Sequence, residues 1–200
     1  MNIGIDIDGV LTDLSSFYLD YGSMYYYNKG TYIKNPNEYH FKDIFKVSQK
    51  EDDDFWTRFI NEYCLNTPPR RFASEIIKKL KDEGNNIYLI TSRDFLVSKT
   101  DTGNGKIDIT KKWLENNDIC YDKLVFSPHD KIPDIKKLNV DIMIEDSPNN
   151  IESISKIIPV IAFDTRYNKD VKSKYRCYSW YDIYAKVKNI KKNNKRKVEY

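Results

Sequence analysis

Cysteine is scarce in this chain. Cys64, Cys120 and Cys177 are far apart and odd in number, with no CxxC pair and no Cys/His cluster. That excludes a zinc module or a disulfide framework, and buried free thiols in a reducing cytoplasm are the expectation. Long apolar runs are also missing. The longest spans seven residues, Ile157 to Phe163, against about 20 for a membrane-spanning helix, so no membrane partner is expected. Asp6 and Asp8 interrupt the first apolar stretch, which argues against a secretory signal. No G-x-x-x-x-G-K-S/T loop exists to hold ATP, which argues against a P-loop kinase. Internal repeats are absent too.

What is present describes a soluble globular protein: 40% hydrophobic and 32% charged residues in a chain of 200. That length holds one sizeable core, or a core domain plus a small insert. The net charge of +3 is misleading as an average, because Lys186 to Tyr200 carries seven Lys/Arg and one Glu. Without that tail, 26 basic residues face 29 acidic ones, a balance of −3. A basic tail can touch nucleic acid or anionic lipid. Such runs are more often solvated, frayed ends, and that is the expectation here.

Five short runs read as buried parallel strands: Asn2 to Asp8, Asn86 to Thr91, Lys123 to Phe126, Val140 to Glu145 and Pro159 to Phe163. Helical patterns lie between them. Ala73, Ile76, Ile77 and Leu80 recur at helical spacing and stop at Gly84, a C-cap signal. Thr110 is a candidate cap for a helix carrying Trp113 and Leu114, and Ser147 for one carrying Ile151 and Ile154. The alternation predicts an α/β fold, a doubly wound parallel sheet.

Residues 14–70 break the rhythm. Tyrosine crowds Phe17 to Tyr27, Ser48 and Glu51 can form a capping box, and Phe55, Trp56, Phe59, Ile60 and Tyr63 make an apolar helical face before Pro68-Pro69. The expected organisation is a core of residues 1–13 and 71–185, a small mainly helical cap at 14–70 inserted after the first strand, and a basic tail at 186–200. Tyr25, Tyr26, Tyr27, Phe55 and Trp56 read first as the core of that cap rather than as a base-stacking platform.

In open α/β sheets the ligand site lies outside the carboxyl ends of the strands. There the predicted strands deliver Asp6 and Asp8, Thr91 and Ser92, and Glu145 and Asp146, with Lys131 in the loop after the third strand. Carboxylates gathered in a crevice repel one another unless a cation sits among them. An oxygen-only ligand set selects Mg²⁺ over zinc. A lysine and hydroxyls beside it supply what a phosphoryl group needs. His129 lies near Lys131 and reads as an ordinary loop histidine.

The stretch Asp6 to Asp13 (DIDGVLTD) resembles the first motif of the haloacid dehalogenase (HAD) superfamily of phosphohydrolases. LITSR at 89–93 resembles its second motif, Lys131 its third, and IEDS at 144–147 its fourth, in the family's order. The pattern is most similar to nucleotidases of the 5′(3′)-deoxyribonucleotidase type, although Val10 stands where many members have Thr and Glu145 where closer ones have Asp. The resemblance implies a cytoplasmic, Mg²⁺-dependent phosphatase acting on a small phosphate monoester through an aspartyl-phosphate. Asp6 would be the nucleophile and Asp8 the acid/base. Mg²⁺ would be held by Asp6, the Asp8 main-chain carbonyl and Asp146, with Glu145 acting through water. Thr91, the Ser92 amide and Lys131 would bind the phosphoryl oxygens, and Arg93 would contact substrate. A nucleoside monophosphate is the expected substrate, a sugar or other metabolite phosphate the alternative, and a nucleic-acid-binding module a more distant one.

Overall fold

The computed structural model describes the backbone of residues 1–93 and 105–198. Six strands form one parallel sheet: β1 (Asn2–Ile5), β2 (Asn86–Thr91), β3 (Lys123–Phe126), β4 (Ile142–Glu145), β5 (Val160–Phe163) and β6 (Tyr175–Cys177). Their spatial order is β3-β2-β1-β4-β5-β6. Strands that are buried on both faces suit short Ile/Val runs, and β4 and β5 are buried at every position.

Period-two alternation divides the side chains between two layers. Ile3, Ile5, Ile87, Leu89, Ile142, Ile144 and Ile161 face one core, shared with helices α4 (Ala73–Asp82), α5 (Gly105–Asn116) and α8 (Trp180–Val198). Tyr88, Ile90, Met143, Val160 and Ala162 face the other, shared with α6 (Ile132–Lys137) and α7 (Pro148–Ile154). The sheet is thus doubly wound. Among the described residues, no helix is long and apolar enough to cross a membrane.

Between β1 and β2 run α1 (Leu14–Tyr26), α2 (Phe41–Phe45) and α3 (Gln49–Asn66). They pack around their own aromatic cluster, which includes Phe17, Tyr18, Tyr26, Phe41, Phe45, Phe55 and Phe59. The rings of Phe41 and Phe55 stack at 3.8 Å; such pairs add about 0.5–1.5 kcal/mol beyond the area they bury. Asp13 caps α1 by accepting from the Ser16 amide at 3.0 Å, and the expected Ser48/Glu51 box caps α3. The chain enters and leaves this segment side by side: Thr12 bridges Pro69, and the Arg70 amide donates to the Leu11 carbonyl at 2.6 Å.

Several sequence expectations shift. The first strand ends at Ile5 because the Ile7 carbonyl accepts from both Leu11 and Thr12, closing a turn that contains Asp8. Thr110 lies inside α5 rather than at its cap, since the helix is already running at Gly105. Gly84 does follow α4, with φ of +78°. The 186–200 segment is no frayed end over its first half. Val187 and Ile190 extend the helical spacing of Trp180 and Ile183, and all four are buried against α4 and the sheet. Residues 199–200 lie outside the described residues. β6, three residues long, is too short to stand out as a pattern.

Candidate active site

The strand order reverses between β1 and β4, and a ligand crevice belongs at such a switch point, beyond the carboxyl ends of the strands. Asp6 follows β1 there, its amide still donating to the Ile144 carbonyl at 3.0 Å. Glu145 ends β4 and Asp146 follows it. Lys131, just ahead of α6, places its ammonium between them, 2.6 Å from Asp6 Oδ1 and 2.9 Å from Glu145 Oε2. Carboxylate oxygens of Asp6, Glu145 and Asp146 come within 4.8 Å of one another. Gly9, at φ of +92°, keeps this spot open: a β-carbon there would lie 2.0 Å from Asp146 Oδ2.

All four groups are almost fully buried, so their charges are weakly screened. Burial pushes the Asp6 carboxyl up to about 7, against the pull of Lys131 and with Glu145 and Asp8 adding to the rise. Burial, then Glu145 and Asp6, hold Asp146 well above the ordinary carboxylate range, opposed by Tyr167 and Lys131. For Lys131, burial works against the charged form, yet Asp6 and Glu145 outweigh it and raise the ammonium above its usual value.

Glu145 is saturated by protein donors. Oε1 accepts from the amides of Asp146 and Ser147, both at 3.1 Å, and Oε2 from Lys131 and, at 3.4 Å, from Asn150. Asp146 differs. Its Oδ2 accepts from the Tyr167 hydroxyl, whereas its buried Oδ1 has no partner among the described residues. A buried carboxylate oxygen left without a donor is costly. Among the described residues, counting Asp8 and Arg93, four carboxylates surround two fixed cations. A hard divalent cation, which prefers oxygen ligands, fits both the orphaned oxygen and the excess negative charge.

The remaining expected residues gather at the same edge. Asp8 lines the same cavity as Asp6 and pairs with Arg93, whose Nε and Nη2 each lie 2.9 Å from Oδ1. Arg93 is 2% exposed and sits over the rings of Tyr63 and Trp113. Its geometry is therefore that of a support for Asp8, at the wall of a cavity the two residues share. Thr91 is buried and accepts from the Arg93 amide at 3.2 Å, while the Ser92 hydroxyl donates to the Pro128 carbonyl at 3.2 Å.

A cavity of about 300 Å³ opens before Asp6, lined by Asp8, Ser92, Lys131 and Glu145 below and by Tyr18, Tyr39 and His40 of the inserted segment above. A second, of about 350 Å³, adjoins it through Asp8, Tyr18, His40 and His129 and reaches Trp56, Tyr63, Asp52 and Asp53. The chain's two histidines thus both line the cleft. Of the aromatics expected in the cap core, Tyr26 and Phe55 are buried there, Tyr27 is exposed, and Trp56 lines the second cavity.

Sequence reasoning passed over Tyr39 and the short 3₁₀ turn Arg166–Asn168. The signal was available for the turn: it follows the carboxyl end of β5 as Asp146 follows β4. No comparable rule reaches Tyr39, which sits in an irregular stretch.

The family model described as "5' nucleotidase, deoxy (Pyrimidine), cytosolic type C protein" matches residues 1–193. A nucleotidase from Clostridium acetobutylicum is 28% identical over 194 residues, covering 95% of each chain. Among solved structures, β-phosphoglucomutase from Clostridium difficile superposes with a TM-score of 0.61 at 16% identity, covering 100% of this chain and 99% of that one. A HAD-superfamily hydrolase from Ehrlichia chaffeensis gives 0.54 at 13%, covering 94% and 96%. At such identities the structural likeness speaks to the fold.

Proposed function

The chain belongs to the family of the cytosolic type C 5′ nucleotidases and is a phosphoric monoester hydrolase, and from that premise we propose that it hydrolyses a nucleoside monophosphate through a phosphorylated Asp6. The observation that carries this reading is the meeting of Asp6, Lys131, Glu145 and Asp146 around one point, with Asp146 Oδ1 left unpartnered.

The Asp6 carboxylate attacks phosphorus. As the bond to the leaving oxygen breaks, Asp8 gives that oxygen its proton. In the second half Asp8 takes a proton from water, whose oxygen attacks phosphorus and displaces the Asp6 carboxylate as inorganic phosphate forms. Lys131 holds a phosphoryl oxygen and stabilises the charge that builds on it, with Thr91 and the Ser92 amide as further donors. Arg93 keeps Asp8 aimed at the cleft. Glu145 orients Lys131. The residues suited to hold Mg²⁺ are Asp6, Asp146 and the Asp8 main chain, with Glu145 at one remove. The ion would neutralise the crowded carboxylates and withdraw charge from the phosphoryl group.

The second cavity supports the nucleoside part of the proposal. Tyr18, Trp56 and Tyr63 line it next to Asp8, where the leaving group must lie, and Trp56, the least buried of the three, is the side chain suited to stack on a base. Asp52 and Asp53 on the same wall repel a second phosphate, which disfavours bisphosphates. A panel of monoesters assayed with Mg²⁺ tests this: nucleoside monophosphates should show the highest kcat/KM. A clear preference for sugar phosphates would reject the nucleotidase assignment and leave the phosphatase chemistry standing.

A further inference from the structure

The 3₁₀ turn Arg166–Asn168 touches Asp146 twice. Tyr167 donates its hydroxyl to Asp146 Oδ2, and Asn168 Nδ2 donates to the Asp146 carbonyl at 2.7 Å. Asn168 is itself fixed: it is fully buried, donates to the Phe163 carbonyl at 2.8 Å and accepts from Arg176 at 2.8 Å. The turn is therefore anchored to β5 and β6 on one side and grips both the backbone and the side chain of Asp146 on the other.

The same turn meets the inserted helices. Arg166 Nε donates to Ser15 Oγ of α1 at 2.8 Å. The Tyr167 ring packs edge-on against Tyr39, with centroids 5.1 Å apart and planes at 75°. Tyr39 and Ser147, the residue after Asp146, line the same cavity. From the segment above the cleft, Tyr39 thus touches the residue that holds Asp146.

We propose that Tyr167 is a positioning residue that holds Asp146 with Oδ1 free for a divalent cation, and that Tyr39 links this hold to the seating of the inserted helices. The physical reason is the orientation of a single carboxylate. Asp146 shares a crowded, buried pocket with Asp6 and Glu145, and repulsion alone would rotate it away. A phenol bound to Oδ2 removes that freedom and leaves Oδ1 the sole open donor atom. Because the phenol's own ring is packed on Tyr39, displacing the inserted segment loosens the carboxylate. By linkage, a cation that prefers the ordered carboxylate must favour the seated segment to the same degree. The inference rests on the metal-dependent reading above.

The test is Mg²⁺ affinity by isothermal titration calorimetry, with hydrogen exchange of residues 34–45 as a second readout. Tyr167→Phe keeps the ring contact and removes the hydroxyl. Its Mg²⁺ affinity should fall by about tenfold or more, the usual loss when a partner behind a ligand is removed, with circular dichroism unchanged and kcat recovering at saturating Mg²⁺. Tyr39→Leu should weaken Mg²⁺ several-fold, and its loss should not add to that of Tyr167→Phe in the double variant. Mg²⁺ should slow exchange at 34–45 in the wild type and not in Tyr39→Leu. Wild-type affinity in Tyr167→Phe would overturn the positioning role while leaving the phosphatase reading intact. Strict additivity, or exchange indifferent to Mg²⁺, would overturn the link to the insertion. A wild-type enzyme that binds no Mg²⁺ would overturn both readings.

Discussion

The floor and the roof of the cleft are built on different principles. The floor is charge set into a sheet: Asp6, Lys131, Glu145 and Asp146 are buried, bonded to one another or to main-chain amides, and held by strands whose register is fixed on both sides. The roof is aromatic surface on helices that pack around their own core and join the sheet through the paired crossings at 11–13 and 68–70. A floor of this kind tolerates almost no change, because removing any one member leaves another buried charge uncompensated. Away from Tyr39, which packs on Tyr167, a roof of this kind can be resurfaced without disturbing the chemistry below. The contrast teaches where reaction type and substrate choice should reside.

Four substitutions sharpen or break that division. Asp6→Asn should have the largest effect, lowering kcat by roughly three orders of magnitude or more while substrate binding persists; stopped assays across the monoester panel would measure it. Lys131→Met strips two buried carboxylates of their cation. Breaking such a pair costs about 3–5 kcal/mol, which urea denaturation without metal would report. In the roof, Trp56→Ala should raise KM for nucleoside monophosphates by about tenfold or more, the equivalent of losing about 1–3 kcal/mol of base stacking, and leave kcat on a small aryl phosphate near wild type. A comparable fall in aryl phosphate turnover would dissolve the division between floor and roof. The smallest effect belongs to Ser48→Ala, which removes the α3 cap far from the floor: Tm should drop by about 2–4 °C with kcat unchanged.

The same contrast decided how much could be read from residues alone. Asp6, Thr91, Glu145 and Asp146 were legible because each ends or follows a short Ile/Val run, and a doubly wound sheet sends all such ends to one edge. Lys131 was legible by motif order and its structure fits. The resemblance implied a substrate contact for Arg93, which does line the second cavity, but its pairing with Asp8 depends on a rotamer that spacing does not encode. The helical identity of residues 186–190 was masked by lysines, although Val187 and Ile190 continue the buried stripe of Ile183. Tyr39 stayed hidden because irregular chain has no period, and its ring contact with Tyr167 arises only when the insertion folds back over the carboxyl end of the sheet.

The proposed chemistry requires Asp6 to be the group that bonds to phosphorus. Acid quenching of the enzyme during turnover of a nucleoside monophosphate with Mg²⁺, followed by proteolysis and mass spectrometry, tests it directly. The peptide carrying Asp6 should gain one phosphoryl group, which Asp6→Asn abolishes. Sustained turnover by Asp6→Asn, with no phosphorylated peptide from the wild type, would contradict it.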